Sequence, residues 1–194
     1  MRIVSGKLKG RQLKINPKDP ALRPTTERVR EAIFSTLQAL TAMADATVLD
    51  LYAGTGSLGL EALSRGARLS VFVEQRRQTF QLLKLTLQEL KLTGQSAAYC
   101  ADVLKFLAQR KKENSPFDLI FADPPYADQP LPELERLLVL GQWVQNGSLL
   151  VVESAAKGGI SAGEGCTARS LSLRLLKDKI YGDTLVRYFV FENH

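Results

Sequence analysis

Four consecutive residues, Asp123, Pro124, Pro125 and Tyr126, carry the clearest chemical signal in the sequence. They follow an apolar run that predicts a buried strand, and open α/β sheets bind their ligands at the carboxyl ends of strands. Proline lacks an N–H group and has a fixed φ, so this Asp-Pro-Pro-Tyr segment predicts a stiff turn with free carbonyl acceptors. Acceptors beside a tyrosine ring suit the exocyclic amine of a planar base, because the amine donates two hydrogen bonds while the base stacks on the ring.

The chemistry predicted at this segment is activation of that amine as a nucleophile. The lone pair of an exocyclic amine is delocalised into the base, so the amine reacts poorly. Acceptors placed off the plane of the base favour a pyramidal nitrogen and free the lone pair, which stabilises the transition state more than the ground state. Guanine, adenine and cytosine all carry such an amine, so the segment does not distinguish between them. The competing interpretation is that the prolines form a turn that only ends the strand.

A second motif, the glycine loop at residues 54–59, has the pattern G-x-G-x-x-G between a predicted strand and a predicted helix. Glycine allows the backbone to turn tightly and approach a ligand, and the N-terminus of the helix offers free N–H groups. Glu74 ends the next predicted strand, 20 residues after Gly54, and a carboxylate there accepts hydrogen bonds from both ribose hydroxyls. These features fit a nicotinamide cofactor as well as S-adenosylmethionine.

Asp50 distinguishes between the two cofactors. It lies four residues before Gly54, near the end of the first predicted strand, where its carboxylate would point at the ligand. A pyrophosphate would be repelled there, whereas a cofactor with a cationic amino group and a sulfonium would be attracted. The Asp-Pro-Pro-Tyr segment also has no role in hydride transfer. The residues therefore favour S-adenosylmethionine.

Positive charge is concentrated at the beginning of the chain. The net charge is +6, and residues 1–30 hold nine basic and two acidic residues, a local charge of +7, which leaves −1 for the rest. Such asymmetry is typical of a protein that binds a polyanion, most often a nucleic acid. A solvated arm without a partner is the alternative interpretation.

From residue 47 onward, short apolar runs alternate with amphipathic helices. Predicted strands cover residues 48–52, 69–73, 97–100, 117–122 and 149–153, and predicted helices end at residues 64, 92, 109 and 144. Repeated strand–helix units predict a parallel sheet with helices on both faces. Residues 171–191 predict two strands that turn at residues 181–183, which adds an antiparallel edge, and residues 157–165 read as a glycine-rich loop.

The segment before this alternation has a different character. Residues 1–15 alternate apolar and basic residues, with glycines at two turns, which predicts a small β-hairpin with a basic face. Three prolines within residues 16–24 predict a connector without helix. Thr25 and Thr26 are candidate N-caps for a helix that runs to about Leu40.

Length and composition predict one α/β domain at residues 25–194, preceded by an N-terminal arm at residues 1–24. No apolar run reaches the roughly 18 residues of a membrane span, and basic residues among the first ten exclude a secretory signal peptide. The chain has two cysteines and a single histidine, His194, so neither a disulfide framework, a zinc site nor a histidine base is expected. We expect a cytoplasmic protein.

Four stretches of the sequence together resemble one family. They are Met1 to Gly6, Arg23 to Phe34, Asp50 to Ala67, and Asp123 to Tyr126. The chain resembles the class I S-adenosylmethionine-dependent methyltransferases that act on amines, and more closely the bacterial 16S ribosomal RNA guanine-N2 methyltransferase family (RsmD). The resemblance implies a Rossmann-like domain with a seven-stranded mixed sheet, an antiparallel C-terminal edge and a small N-terminal β-hairpin.

The resemblance also assigns candidate site residues. It implies a cofactor pocket for S-adenosylmethionine formed by Asp50, Tyr52, Gly54, Thr55, Gly56 and Glu74. Asp102 would face the adenine amine, although its position before a predicted helix equally suits an N-cap. The catalytic residues would be Asp123, Pro124, Pro125 and Tyr126. We expect the rings of Tyr52, Trp143 and Tyr181 to pack rather than to stack on a base.

The implied substrate is the N2 amine of a guanine in 16S ribosomal RNA, within an assembling small subunit. Candidate RNA-binding residues are Arg2, Lys7, Lys9, Arg11, Lys14, Arg23, Thr25 and Arg28. Arg23, Thr25 and Arg28 suit either the RNA backbone or the entrance to the cofactor pocket. We expect a monomer without metal or membrane contact. The alternatives are a DNA adenine or cytosine amino-methyltransferase, and a non-catalytic RNA-binding assembly factor with a vestigial cofactor site.

Overall fold

The structure is a computed structural model, and it describes residues 1–16, 26–109, 115–124, 131–156 and 171–193. The predictions for Arg23, Thr25, Pro125 and Tyr126, and for the glycine-rich loop at residues 157–165, lie outside the described residues. The chain forms two compact units, residues 1–101 and residues 102–194.

Seven strands form one sheet in the order β3-β2-β1-β4-β5-β7-β6. The strands are β1 (Thr47–Leu51), β2 (Leu69–Val73), β3 (Ser96–Tyr99), β4 (Leu119–Ala122), β5 (Leu149–Ala155), β6 (Leu171–Tyr181) and β7 (Thr184–Asn193). The helices are α1 (Glu27–Leu40), α2 (Ser57–Ser64), α3 (Arg77–Glu89), α4 (Val103–Ala108) and α5 (Leu131–Leu140). β5 and β6 both pair antiparallel with β7, so the predicted mixed sheet with an antiparallel C-terminal edge is confirmed.

In the first unit, β1 pairs in parallel with β2, and β2 pairs in parallel with β3. Every residue of β1 is buried, as expected for a central parallel strand that is covered on both faces. The helix α2 is buried along its whole length. The helix α1 begins where it was predicted to begin, because Thr26 Oγ1 accepts a hydrogen bond of 3.2 Å from Val29 N.

In the second unit, β4 pairs in parallel with β5. Trp143 is buried, and its Nε1 donates a hydrogen bond of 3.0 Å to the carbonyl of Leu107. The indole ring also contacts the rings of Phe106 and Phe117, with centroid distances of 5.2 Å and 6.1 Å. The prediction that Trp143 is a packing residue is therefore confirmed.

Two helices end earlier than the sequence pattern predicted. The helix predicted to reach residue 144 ends at Leu140, and Gln142 has a φ of +55°. The helix predicted to reach residue 92 ends at Glu89, and Lys91 has a φ of +57°. A left-handed residue cannot continue a right-handed helix, so each one fixes a helix end that apolar periodicity does not mark. Among the described residues, none of the helices combines the length and the apolar character needed to cross a membrane.

Candidate active site and nucleic-acid surface

The loop that follows β1 contains residues with a positive φ angle. Tyr52 has a φ of +56° and Gly54 has a φ of +55°. Positive φ is unfavourable for a tyrosine, and such residues are often found at functional sites. A Cβ atom built on Gly54 would meet only the carbonyl of Tyr52, at 3.9 Å, so the space beside this residue is open.

Glu74 lies directly after β2 and is 4% exposed. Its Oε2 accepts a hydrogen bond of 2.9 Å from Gly54 N, and its Oε1 accepts one of 2.7 Å from Arg76 N. The guanidinium of Arg76 also lies 3.5 Å from Oε1. A carboxylate has about four acceptor positions, so these contacts leave capacity for the two hydroxyls of a ribose.

Asp50 is 2% exposed and holds the start of α2. Its Oδ2 accepts a hydrogen bond of 2.8 Å from Gly59 N, in the first turn of this helix. The sequence prediction gave Asp50 a contact with the cofactor only and missed this structural contact. The two contacts are compatible, because a carboxylate can accept several hydrogen bonds. The contact with the cofactor stays a prediction.

The remaining predicted pocket residues lie around the same loop or after β3. Gly56 is the N-cap of α2, in the left-handed conformation, and the hydroxyl of Thr55 donates a hydrogen bond of 3.4 Å to Met1 Sδ. Asp102 Oδ1 accepts a hydrogen bond of 2.9 Å from Lys105 N, which confirms its role as the N-cap of α4. Its contact with adenine stays a prediction.

The first-unit residues fit S-adenosylmethionine by their chemistry. Open space beside Gly54 admits a ligand close to the backbone, and Glu74 has acceptor capacity for hydroxyls. Two buried carboxylates, on Asp50 and Glu74, would disfavour a phosphate and favour a cation.

Asp123 follows β4 directly and is partly buried, while Pro124 is buried. Burial raises the pKa of Asp123 from 3.8 to about 6. The group is therefore mostly ionised at neutral pH and can accept hydrogen bonds from a ligand.

The described part of the N-terminal arm forms the short hairpin that the sequence predicted. Ile3 N donates to Arg11 O at 3.0 Å, Gly10 N donates to Ile3 O at 2.8 Å, and Leu13 N donates to Met1 O at 3.0 Å. The side chains of Ile3 and Leu13 are buried. The hairpin is thus packed against the protein, and its basic residues lie on the outside.

The predicted RNA-binding cations differ in their surroundings. Lys7, Lys9, Arg11 and Arg28 are exposed and make no ion pair with the described part of the chain. By contrast, Arg2 Nε lies 3.2 Å from Glu27 Oε2, and Lys14 Nζ lies 2.8 Å from Glu89 Oε1. The first four cations are therefore better placed to bind phosphates than Arg2 and Lys14.

Sequence reasoning missed the buried charges beneath this hairpin. Arg30, which contributed to the basic count of residues 1–30, is fully buried, and so is Glu61 on α2. A signal was present in the sequence, since Glu61 is the only charged residue in the otherwise apolar and small segment of α2. A charge in such a helix indicates a buried partner.

The seven-stranded mixed sheet with its antiparallel C-terminal edge is the fold of the class I methyltransferases. Comparison with known proteins agrees. The family model described as "Conserved hypothetical protein 95" matches residues 1–190. The chain belongs to this family, which is the ribosomal RNA small subunit methyltransferase D (RsmD) family.

The similar proteins cover most of the chain. Ribosomal RNA small subunit methyltransferase D of Escherichia coli (strain K12) is 39% identical over 160 residues, which are 82% of this chain and 77% of that protein. The protein of the same name from Haemophilus influenzae is 34% identical over 195 residues, covering 100% of this chain and 94% of that protein. The solved structure of Escherichia coli yhhF has a TM-score of 0.82 and 34% identity, and covers 100% of this chain and 99% of that chain.

Proposed function

We propose that this ribosomal RNA methyltransferase transfers a methyl group from S-adenosylmethionine to the exocyclic N2 amine of a guanine in 16S ribosomal RNA. The relatives named above support ribosomal RNA of the small subunit as the substrate. The observation that carries the proposal is the Asp123 carboxylate, which lies partly buried directly after β4, with its pKa raised by burial.

The chain's own residues have separate tasks in this proposal. S-adenosylmethionine, when bound, supplies an electrophilic methyl group on a sulfonium. Glu74 binds the ribose hydroxyls, and Gly54 lets the backbone approach the cofactor. Asp50 keeps the start of α2 in place and attracts the amino group of the cofactor.

Asp123 and the carbonyl of Pro124 accept hydrogen bonds from the guanine amine in this proposal, and Tyr126, with Pro125 beside it, stacks on a base extruded from its neighbours. As the nitrogen is methylated it becomes acidic and must lose a proton. A carboxylate with a pKa of about 6 is suited to accept that proton near neutral pH. The proton then passes from Asp123 to water.

The N-terminal arm binds the RNA backbone in this proposal. The exposed cations Lys7, Lys9 and Arg11 of the arm, together with Arg28 on α1, supply the phosphate contacts. Arg23 and Thr25 either extend this surface or border the cofactor pocket. The substrate is an assembling small subunit, and the enzyme acts as a monomer in the cytoplasm, with the arm at residues 1–24 and the catalytic domain at residues 25–194.

Two other functions use the same residues. A DNA amino-methyltransferase would present adenine or cytosine to Asp123, and an assembly factor would bind RNA without catalysis. The relatives named as ribosomal RNA small subunit methyltransferases favour RNA over DNA as the substrate. The raised pKa of Asp123, which lies partly buried at the end of β4, favours an enzyme over a vestigial site.

The identity of the methylated nucleoside tests the proposal. The protein is incubated with tritiated S-adenosylmethionine and either unmodified small subunits, free 16S ribosomal RNA or duplex DNA, and the labelled nucleoside is then identified. We expect N2-methylguanosine from the ribosomal RNA and no label in the DNA. Asp123→Asn should lose the label, while Asp118→Asn, which removes a carboxylate just before β4, serves as the matched control. Label in adenine or cytosine, or no label at all, would refute it.

A further inference from the structure

A buried carboxylate on α2 binds the backbone of the N-terminal arm. Glu61 Oε2 accepts a hydrogen bond of 2.8 Å from Val4 N, and Glu61 Oε1 accepts one of 2.9 Å from Ser5 N. Two guanidinium groups pair with this carboxylate, with Arg65 Nε 2.8 Å from Oε1 and Arg30 Nε 3.6 Å from Oε2. We call Glu61, Arg30 and Arg65 the Glu61 cluster.

The cluster joins the arm to two helices. Arg30 belongs to α1, is fully buried and donates a hydrogen bond to the carbonyl of Arg2. Arg65 directly follows α2, and its guanidinium lies 4.8 Å from the centre of the Phe34 ring on α1. Buried charges are costly when a partner is removed. The cluster therefore strongly favours one position of the arm backbone.

The last residue of α2 binds the next part of the arm. Lys7 N donates to the Ser64 carbonyl at 2.8 Å, and Leu8 N donates to Ser64 Oγ at 2.9 Å. The Ser64 hydroxyl donates in turn to the carbonyl of Ser5. Gly6 has a φ of +81°, and a Cβ atom built there would lie 1.9 Å from the Ser64 carbonyl oxygen. Only glycine permits this close approach.

The exposed cations Lys7, Lys9 and Arg11, which we call the basic turn, lie within or directly after this fixed segment. We propose that Glu61, Arg30 and Ser64 are positioning residues that hold the basic turn in the conformation that binds RNA phosphates. This inference rests on the proposed function, because it names the part of the fold that prepares the RNA-binding surface. A surface that is already ordered loses less conformational entropy on binding than a flexible arm.

The test compares variants that loosen the arm with variants that remove its charge. Ser64→Ala and Glu61→Gln loosen the arm, while a triple variant, Lys7→Gln with Lys9→Gln and Arg11→Gln, removes the charges. Val190→Ala on β7 is the control for a general loss of stability, since Val190 is a buried residue of the second unit. Affinity for a 16S ribosomal RNA fragment is measured by fluorescence anisotropy at several salt concentrations, and cofactor affinity is measured separately.

We expect Ser64→Ala and Glu61→Gln to weaken RNA binding about tenfold at every salt concentration, because ordering even one residue costs about that much. Their salt slope should stay within about one unit of the wild-type slope, since all cations remain. The KM for RNA should rise, while the single-turnover rate at saturating RNA and the cofactor affinity stay near normal. If Glu61→Gln does not fold, Ser64→Ala still gives the answer, because it leaves the buried charges intact.

The outcomes separate this inference from the proposed function. Loosening variants that bind RNA like the wild type, while the charge variant loses salt slope, would overturn the inference and leave the RNA-binding role of the arm intact. A charge variant with the wild-type slope would overturn that role itself. If Val190→Ala weakens RNA binding as much as Ser64→Ala does, the effect comes from general destabilisation and the inference is wrong.

Discussion

Replacing Asp123 with asparagine should stabilise the protein near neutral pH and also remove its activity. Burial raises the pKa of Asp123 from 3.8 to about 6, so the folded protein binds this proton more tightly than the unfolded chain does. The protonated carboxyl therefore makes a contribution to the free energy of unfolding that is fully present below pH 3.8 and is lost as the pH rises through about 6. Asparagine does not titrate, so the free energy of unfolding of the variant does not fall in this pH range.

The size of the effect follows from the two pKa values. The difference between 3.8 and about 6 corresponds to about 3 kcal/mol. Asp123 is only partly buried, so solvent screening lowers the expected effect to about 1–2 kcal/mol. The free energy of unfolding of the variant should therefore exceed that of the wild type by this amount at pH 8 and by almost nothing near pH 4.

The assay is urea unfolding of the two proteins in parallel at about six pH values between 4 and 8. All other titrating groups are present in both proteins, so the difference between the two curves reports the replacement of Asp123. The same variant should lose about 100- to 1,000-fold in single-turnover methylation, because asparagine keeps an acceptor oxygen but loses the negative charge that acts on the amine in the transition state. The wild-type rate should fall below about pH 6 as the carboxylate is protonated.

Two results would refute this reasoning. A variant that is less stable than the wild type by the same amount at every pH would show that Asp123 stabilises a turn. A folded variant with near-normal single-turnover rate would remove the support for amine activation at this residue.

Three further predictions address the other sites. Glu74→Ala should weaken S-adenosylmethionine binding at least tenfold, because two charge-assisted hydrogen bonds are lost; unchanged affinity by calorimetry in a folded variant would exclude the ribose contact. The combined replacement of Lys7, Lys9 and Arg11 by glutamine should lower the salt slope of RNA binding, measured by fluorescence anisotropy, by about 2–3 units. An unchanged slope would exclude contacts between the basic turn and RNA phosphates. Asp102→Ser keeps a residue that can cap α4, so thermal stability should stay unchanged while the affinity for the cofactor falls severalfold. Wild-type cofactor affinity in this variant would show that Asp102 only caps the helix and does not contact adenine.

The sequence pattern predicted the sheet and its edge well, because a buried parallel strand such as β1 must be apolar along its length. The turn between β6 and β7 was also predictable, because the sequence has a glycine there and Gly182 adopts a φ of +59°, which few other residues tolerate. The end of α3 carried no signal, because its left-handed residue, Lys91, is neither glycine nor proline. The end of α5 did carry one, since Gly141 directly follows Leu140 and glycine often ends a helix, but the prediction relied on periodicity and missed it. Periodicity reports which face of a helix is buried and gives no information on where the helix stops.

The site was predictable in its residue types and less so in its contacts. The spacing of Asp50 and Glu74 around the glycine loop predicted two carboxylates, and the structure shows both buried there. Their hydrogen bonds to Gly59 N and Gly54 N depend on how the loops fold in three dimensions. Arg30 shows the same limit, because charge counting treats every arginine as a surface residue, and only the fold reveals its partner Glu61.

The single tryptophan gives the protein an internal optical reporter. Trp143 is 3% exposed and packed between Phe106 and Phe117, so its emission should be blue-shifted in the native state and should move to longer wavelength on unfolding. Because the residue belongs to the unit formed by residues 102–194, this signal follows that unit alone, whereas far-ultraviolet circular dichroism follows both units. Coincidence of the two transitions would show that the two units unfold cooperatively. Tryptophan emission is also the natural signal for measuring the effect of Asp123, which lies in the same unit.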